Sequence, residues 1–432
     1  MKNHPLKTIT LLLVIIQIQI ANGQIDPAYE IGTWKNFTNA AISYTWDDNT
    51  PKQLTVAKPI FDNYGFKTTF FITTNWGPNW AAFQTASTDG HEVASHSKSH
   101  PNFGNLDETQ RLEELEGSKN AINANISGNQ CLTFAYPYCV VGDNAQTESL
   151  YISARTCQGA IESSTPANIM SVSSIVCGTA GSVITSEHFT NKVNEATSSN
   201  GWVVFLLHGI DNDGGFSPIA STDLDTHLNY MNQNQDTFWV ATYGDVVKYI
   251  KERDNSSIVE VSNENNEIVF QLTNNLDANI YNLPLSVRKT IPLDWSVTSV
   301  TQDGNPIDYQ VLEESSEKFI QLDALPNGGD VIITGEESLG VDEFSHSLSN
   351  LSLFPNPSKG DMVTLKFLLK RKGDMSISII NQTGALLQDI AKKEYPSGEH
   401  QLQLDVSRWK GHPIYLVMSI DGVLMTKKLI NP

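Results

Sequence analysis

Ala41-Ile42-Ser43-Tyr44-Thr45-Trp46-Asp47-Asp48 decides the fold, because an apolar run rich in strand formers stops at two adjacent carboxylates. Similar runs recur at residues 68–72, 91–94, 132–135, 202–207 and 238–241. Helix-like stretches separate them. Asp107 and Gln110 stand at capping-box spacing, and Leu112, Leu115 and Ile122 repeat helically behind them, which predicts a helix over 107–124. A closing helix is predicted over 244–253. Strands alternating with helices build a parallel sheet with crossovers. No Gly-rich nucleotide loop follows the first strand, so a (β/α) barrel fits better than an open doubly wound sheet.

In such a barrel the carboxyl ends of the strands assemble the chemistry. Asp47 and Asp48 end the first strand, and His96-Ser97-Lys98-Ser99-His100 follows another. Two imidazoles four apart on one face of a helical turn can grip a divalent ion, with a carboxylate as third ligand. Phe134-Ala135-Tyr136-Pro137-Tyr138-Cys139 and Leu206-Leu207-His208-Gly209 end two further strands. Taken singly, the Asp pair would be a solvated turn and His96 with His100 a pair of surface histidines. Their order and their placement after strands give them weight.

An Asp-Asp pair, His-x-x-x-His, Pro-Tyr and Leu-x-His in this order resembles the polysaccharide deacetylases of carbohydrate esterase family 4, which share the NodB homology domain. The resemblance spans residues 38–254 and implies an α/β fold, a distorted (β/α) barrel of the NodB type. The implied activity is metal-dependent hydrolysis of N- or O-acetyl groups of a glycan. Carried over motif by motif, Asp47 is the general base, Asp48, His96 and His100 hold one divalent ion, most simply Zn²⁺, and His208 is the general acid. The backbone N–H of Tyr138 helps bind the oxyanion. Two departures stand out. The place of an Arg that holds the base in the family reads Ala135-Tyr136-Pro137-Tyr138, and Arg155, expected at the end of the next strand, can supply that cation. The acidic residue that orients the general acid has no match, although Asp211 and Asp213 lie nearby in sequence. Trp76, Trp80 and Phe83 read either as a sugar-stacking wall or as core. A glycan-binding barrel without turnover and a metal-dependent hydrolase of non-sugar C–N bonds are the alternative readings.

The chain carries 48 acidic against 28 basic residues, a net charge of −20, and no basic run, which excludes nucleic acid as the main partner. Lys2 and Lys7 before the apolar run 11–16, with Ala21 and Gly23 beyond it, read as an export signal over residues 1–23. That run is shorter than the roughly 18–20 residues a membrane span needs. Export allows disulfides, and Cys131, Cys139, Cys157 and Cys177 predict one or two local staples. The organisation expected is a catalytic domain over 24–257, a small β-sandwich over 258–336, a linker over 337–350 and a last β-sandwich over 351–432. That last segment resembles the carboxy-terminal sorting domain of the type IX secretion system. Leu353-Phe354-Pro355-Asn356-Pro357-Ser358-Lys359-Gly360 matches its opening, Asn381-Gln382-Thr383-Gly384 its central turn, and the stretches at 415–417 and 427–430 its end. The partners implied are an acetylated polysaccharide or oligosaccharide and the type IX secretion machinery, with the protein secreted or at the cell surface.

Overall fold

The computed structural model describes residues 28–128, 130–314, 317–337, 348–420 and 423–431. The export signal and all but the ends of the linker fall outside them. Strand β1 (Tyr29–Ile31) precedes the barrel, whose staves are β2 (Ala40–Asp47), β3 (Thr69–Ile72), β4 (Glu92–Ser95), β5 (Thr133–Ala135), β6 (Ser153–Arg155), β7 (Ile175–Val176) and β8 (Trp202–Leu207). They run in the order β6-β5-β4-β3-β2-β8-β7, all in parallel. The sheet closes through Val172, just before β7, whose N–H donates to Ala154 O (2.9 Å) and whose carbonyl accepts from Thr156 N–H (2.7 Å). The barrel is distorted at β2. Its first half pairs with β9 (Phe238–Val240) and its last residues with β3 on the same side.

Helices α1 (Lys58–Asn63), α2 (Trp80–Thr88), α3 (Glu108–Asn125), α4 (Asn144–Glu148), α5 (Ser186–Thr197), α6 (Ser221–Gln233) and α7 (Tyr243–Asn255) lie between or after these strands. The Asp107–Gln110 capping box at α3 forms as read. Period-two alternation sorts β2 into two faces. Ile42, Tyr44 and Trp46 join the core beneath the helices, whereas Ala41 faces a second core with Phe71, Ala94, Ala135 and Val204. The three alanines of that set share the interior with Trp202, Tyr243 and Arg155, all buried.

Beyond the barrel come β10 (Ser257–Glu264), β11 (Glu267–Thr273), β12 (Leu285–Ile291), β13 (Trp295–Gln302), β14 (Asn305–Pro306), β15 (Tyr309–Glu314), β16 (Glu317–Ala324) and β17 (Val331–Glu337). They form two facing sheets, β10-β11-β17-β13-β14 and β1-β12-β16-β15, over a core that includes Phe270, Val287, Trp295 and Ile333. Strand β1 falls within the span 24–257 read as the catalytic domain, yet it is an edge of this sandwich, paired antiparallel with β12. The last seven strands, from Leu348–Phe354 to Val423–Leu429, form a second sandwich around Leu365, Ile377, Leu416 and Met418.

Candidate active site

Consecutive strand side chains point to opposite faces, so Asp47 and Asp48 could not both face the barrel mouth if β2 ran on. It does not: Asp48 adopts φ +75° and Asn49 φ +43°, and this left-handed turn brings both carboxylates to one place. Gln53, buried below, donates through Nε2 to the carbonyls of Asp47 (2.5 Å) and His208 (2.9 Å) and so ties the ends of β2 and β8 together.

His96 and His100 do not lie on a helical turn, contrary to expectation. They occupy a loop after β4 in which Ser97 (φ +69°) and His100 (φ +63°) take left-handed conformations. The loop is folded by polar clamps that replace helical hydrogen bonds. Ser97 Oγ accepts the His100 N–H (2.9 Å), and Glu114 on α3 accepts the N–H groups of Lys98 (2.9 Å) and Ser99 (2.8 Å) and the Ser99 hydroxyl (2.5 Å). Nothing in the sequence singles out Glu114; its signal is only a carboxylate on the solvent side of a predicted helix.

His96 Nδ1 lies 2.8 Å from Ala135 O, and because a carbonyl only accepts, Nδ1 carries the hydrogen and Nε2 offers a lone pair. Burial pulls the His96 pKa down to about 4 and lowers those of His100 and His208, so the imidazoles of His96 and His100 are neutral and fit to accept a cation. Asp48 Oδ1 stands 3.7 Å from His96 Nε2 and 3.5 Å from His100 Nε2, and it is buried without a hydrogen-bond partner. Burial and the adjacent Asp47 push the Asp48 carboxyl up to about 7, the mark of an anion lacking its counter-charge. Ligands of a tetrahedral zinc at about 2.0–2.2 Å sit roughly 3.3–3.5 Å apart, so the donor set fits such an ion.

Asp47 is fully inside, where burial alone would raise its pKa. The Arg155 guanidinium outweighs burial, and the net shift is downward. Arg155 ends β6, as the sequence led us to expect. Its Nη2 contacts both Asp47 oxygens (2.7 and 2.5 Å), Nη1 donates to Ser174 Oγ (3.0 Å), and the guanidinium lies 5.2 Å from the Phe71 ring. One nitrogen makes both contacts, in place of the two-nitrogen fork that arginine commonly presents to a carboxylate. His208 faces the pair from β8, with Nε2 3.9 Å from Asp48 Oδ2. Its Nδ1 is buried and has no partner. Asp211 caps α6 through the Ser221 N–H, and Asp213 accepts the N–H groups of Ile210 and Gly215, so neither orients His208.

Tyr138 (φ +54°) sits in a tight turn beside the mouth, with its ring 4.7 Å from that of His100. The Cys139–Cys157 disulfide ties this turn to the segment just past Arg155, while Cys131 and Cys177 are buried free thiols. Of the three residues offered as a stacking wall, only Trp76 is at the mouth, 5.0 Å from His100. Phe83 is buried against Phe70, and Trp80 packs partly buried on the same core, because α2 turns its apolar face inward. Sequence reading missed Phe216, whose exposed ring meets His208 at 5.0 Å.

Residues 35–153 match the polysaccharide deacetylase family model, and residues 352–431 match that of the secretion system C-terminal sorting domain. The first match stops short of Arg155 and His208. A gellan lyase from a Bacillus species is 26% identical over 325 residues, which is 70% of this chain but 13% of that protein. The uncharacterized protein YlxY of Bacillus subtilis (strain 168) is 26% identical over 110 residues, 25% of this chain and 34% of its own. This chain thus spans about an eighth and a third of those two relatives. Among solved structures, a putative polysaccharide deacetylase from Mycobacterium smegmatis superposes with a TM-score of 0.42 at 15% identity, covering 54% of this chain and 98% of its own. The Xyl-CE4 domain of a xylanase from the hindgut metagenome of Trinervitermes trinervoides gives 0.36 at 20% identity, with 48% and 89% covered.

Proposed function

Because residues 35–153 belong to the polysaccharide deacetylase family and residues 352–431 to the sorting domains of type IX secretion, we propose that this exported protein removes acetyl groups from a glycan with the help of one divalent ion. One observation carries this reading: ligand atoms of Asp48, His96 and His100 lie within 4.8 Å of one another beside an arginine-held carboxylate. Those three residues would hold the ion, zinc being the simplest fit to two imidazoles and a carboxylate. When bound, it supplies Lewis acidity toward the acetyl carbonyl and the attacking water.

The rest is the work of the chain. Asp47, kept ionised by Arg155, takes a proton from water, whose oxygen then bonds to the acetyl carbon. The Tyr138 N–H is assigned to the oxygen on which charge develops. His208, entering this step as imidazolium, gives its Nε2 proton to the departing nitrogen or oxygen as the C–N or C–O bond breaks, and the proton held by Asp47 restores it, leaving acetate and a free amine or hydroxyl. The bare Nδ1 of His208 favours one competing reading, a barrel that binds glycan without turnover. Acetate release from a panel of acetylated glycans, with and without chelator, separates the two. Elemental analysis should find one equivalent of divalent metal per chain, lost in His96→Ala. No acetate from any glycan, with metal bound, would leave the binding reading in place.

A further inference from the structure

One covalent bond joins two parts of the candidate site. Cys139 follows Tyr138, the residue whose N–H is assigned to the oxyanion, and its partner Cys157 stands two residues after Arg155, which holds Asp47. The other two cysteines, Cys131 and Cys177, are buried and unpaired.

The two ends of this bridge are held very differently. On the Cys157 side the backbone is fastened to the segment leading into β7, with Thr156 N–H donating to Val172 O (2.7 Å) and Gly159 N–H to Ser174 O (3.1 Å). On the Cys139 side the hydrogen bonds stay inside the turn, from Cys139 N–H to Tyr136 O (3.0 Å) and from Val140 N–H to Pro137 O (3.2 Å). Tyr138 and Cys139 are both left-handed, at φ +54° and +58°, in a stretch without glycine. A Cβ disfavours that backbone, which persists only where the surroundings over-determine it. Core packing does not hold Tyr138, which is 64% exposed with its ring against His100. The disulfide supplies the hold. What it preserves is a free donor, because the Tyr138 N–H meets no acceptor among the described residues.

We propose that Cys139 and Cys157 are a positioning pair: their disulfide holds the Tyr138 N–H toward the reacting carbonyl, so that the chain turns over only once both thiols have been oxidised after export. This rests on the deacetylase reading for the reaction it switches. In a reducing cytoplasm both cysteines are thiols. Outside it, a disulfide-bearing oxidant takes two protons and two electrons from them and leaves as its own thiols while the Cys139–Cys157 bond forms. Both residues are partly exposed, which gives exchange its access.

The folded full chain treated with a phosphine reductant, and the double variant Cys139→Ser with Cys157→Ser, test this. In both, kcat on an acetylated glycan should fall about 30–100-fold, approaching the loss of one oxyanion donor, with KM and metal content unchanged. Glutathione disulfide should restore the reduced wild type but not the variant. Hydrogen–deuterium exchange needs no turnover, and the amides of Cys139 and Val140 should exchange about tenfold faster without the bridge. Cys131→Ala should keep the whole redox response. A kcat within about twofold of the oxidised wild type in both proteins, with exchange unaltered, would overturn the proposal and leave the deacetylase standing. Metal lost on reduction would also overturn it, making the bridge a general staple. Faster exchange on reduction, in a chain that releases no acetate in either state, would support the clamp while removing the deacetylase reading.

Discussion

Replacing Arg155 by Met tests whether the buried cation exists for Asp47. Both side chains are almost wholly buried, and the pair is closed by two contacts of 2.7 and 2.5 Å. Removing one member of a buried pair strands the other charge, at a cost of about 3–5 kcal/mol, whereas removing both together is often close to neutral. Arg155→Met and Asp47→Asn should each destabilise the barrel by amounts of that order, less whatever water relieves. The double variant should lose far less than their sum, a coupling of about 2–4 kcal/mol. Urea unfolding of the full chain, followed through the barrel transition, gives all four corners of the cycle. Additive losses would refute the pairing argument outright. Turnover adds a second reading: Arg155→Lys keeps the charge but cannot contact both Asp47 oxygens and Ser174 in the same geometry, so kcat should fall about 10–100-fold with metal content unchanged.

Glu114→Ala removes the acceptor of two N–H groups and a hydroxyl in the histidine loop, and should weaken metal affinity about 10–100-fold in a chelator competition while shifting the melting temperature little; unchanged affinity would make Glu114 a bystander. Glu252, buried on α7 while accepting the Leu283 N–H, has its pKa pushed up to about 7 chiefly by burial. Its folded-state pKa lies above the unfolded value, so the stability of its neutral form is lost as pH rises from about 4.5 through 7. Glu252→Gln should therefore gain roughly 1–3 kcal/mol over wild type at about pH 8.5 and little near pH 4.5, and an equal difference at both would contradict the assignment. A chain ended at Glu337 should remain inside a host that has type IX secretion; delivery at the level of the full chain, by cell fractionation, would remove the tail as the address.

Much of the barrel was legible because its longer strands are continuous apolar runs, as in β8, and because α3 announces itself through a cap. The short staves β6 and β7, three and two residues long, carry too few residues for any periodicity, and Arg155 stood out only as a cation in search of Asp47. The histidine spacing was legible but its backbone was not. A separation of four satisfies a helix and an Asx-like polar loop equally, and the choice between them was made by Glu114, a side chain from another element. Phe83 and Phe216 show the same limit: stacking wall and core share one composition, and only tertiary burial separates them.

The antiparallel pairing of β1 with β12 makes the barrel an insertion between two strands of one small sandwich. Tyr29 reaches Glu260, 231 residues downstream, with its hydroxyl at 2.8 Å. A chain synthesised from its amino end therefore delivers the first strand of the sandwich long before its partner exists, and closing so long a loop is entropically costly until the barrel has folded and drawn the two ends together. The barrel acts as the spacer that makes this closure affordable, and the sandwich in turn records whether the barrel has folded. Deleting β1 would injure the middle sandwich rather than the barrel that adjoins it in sequence.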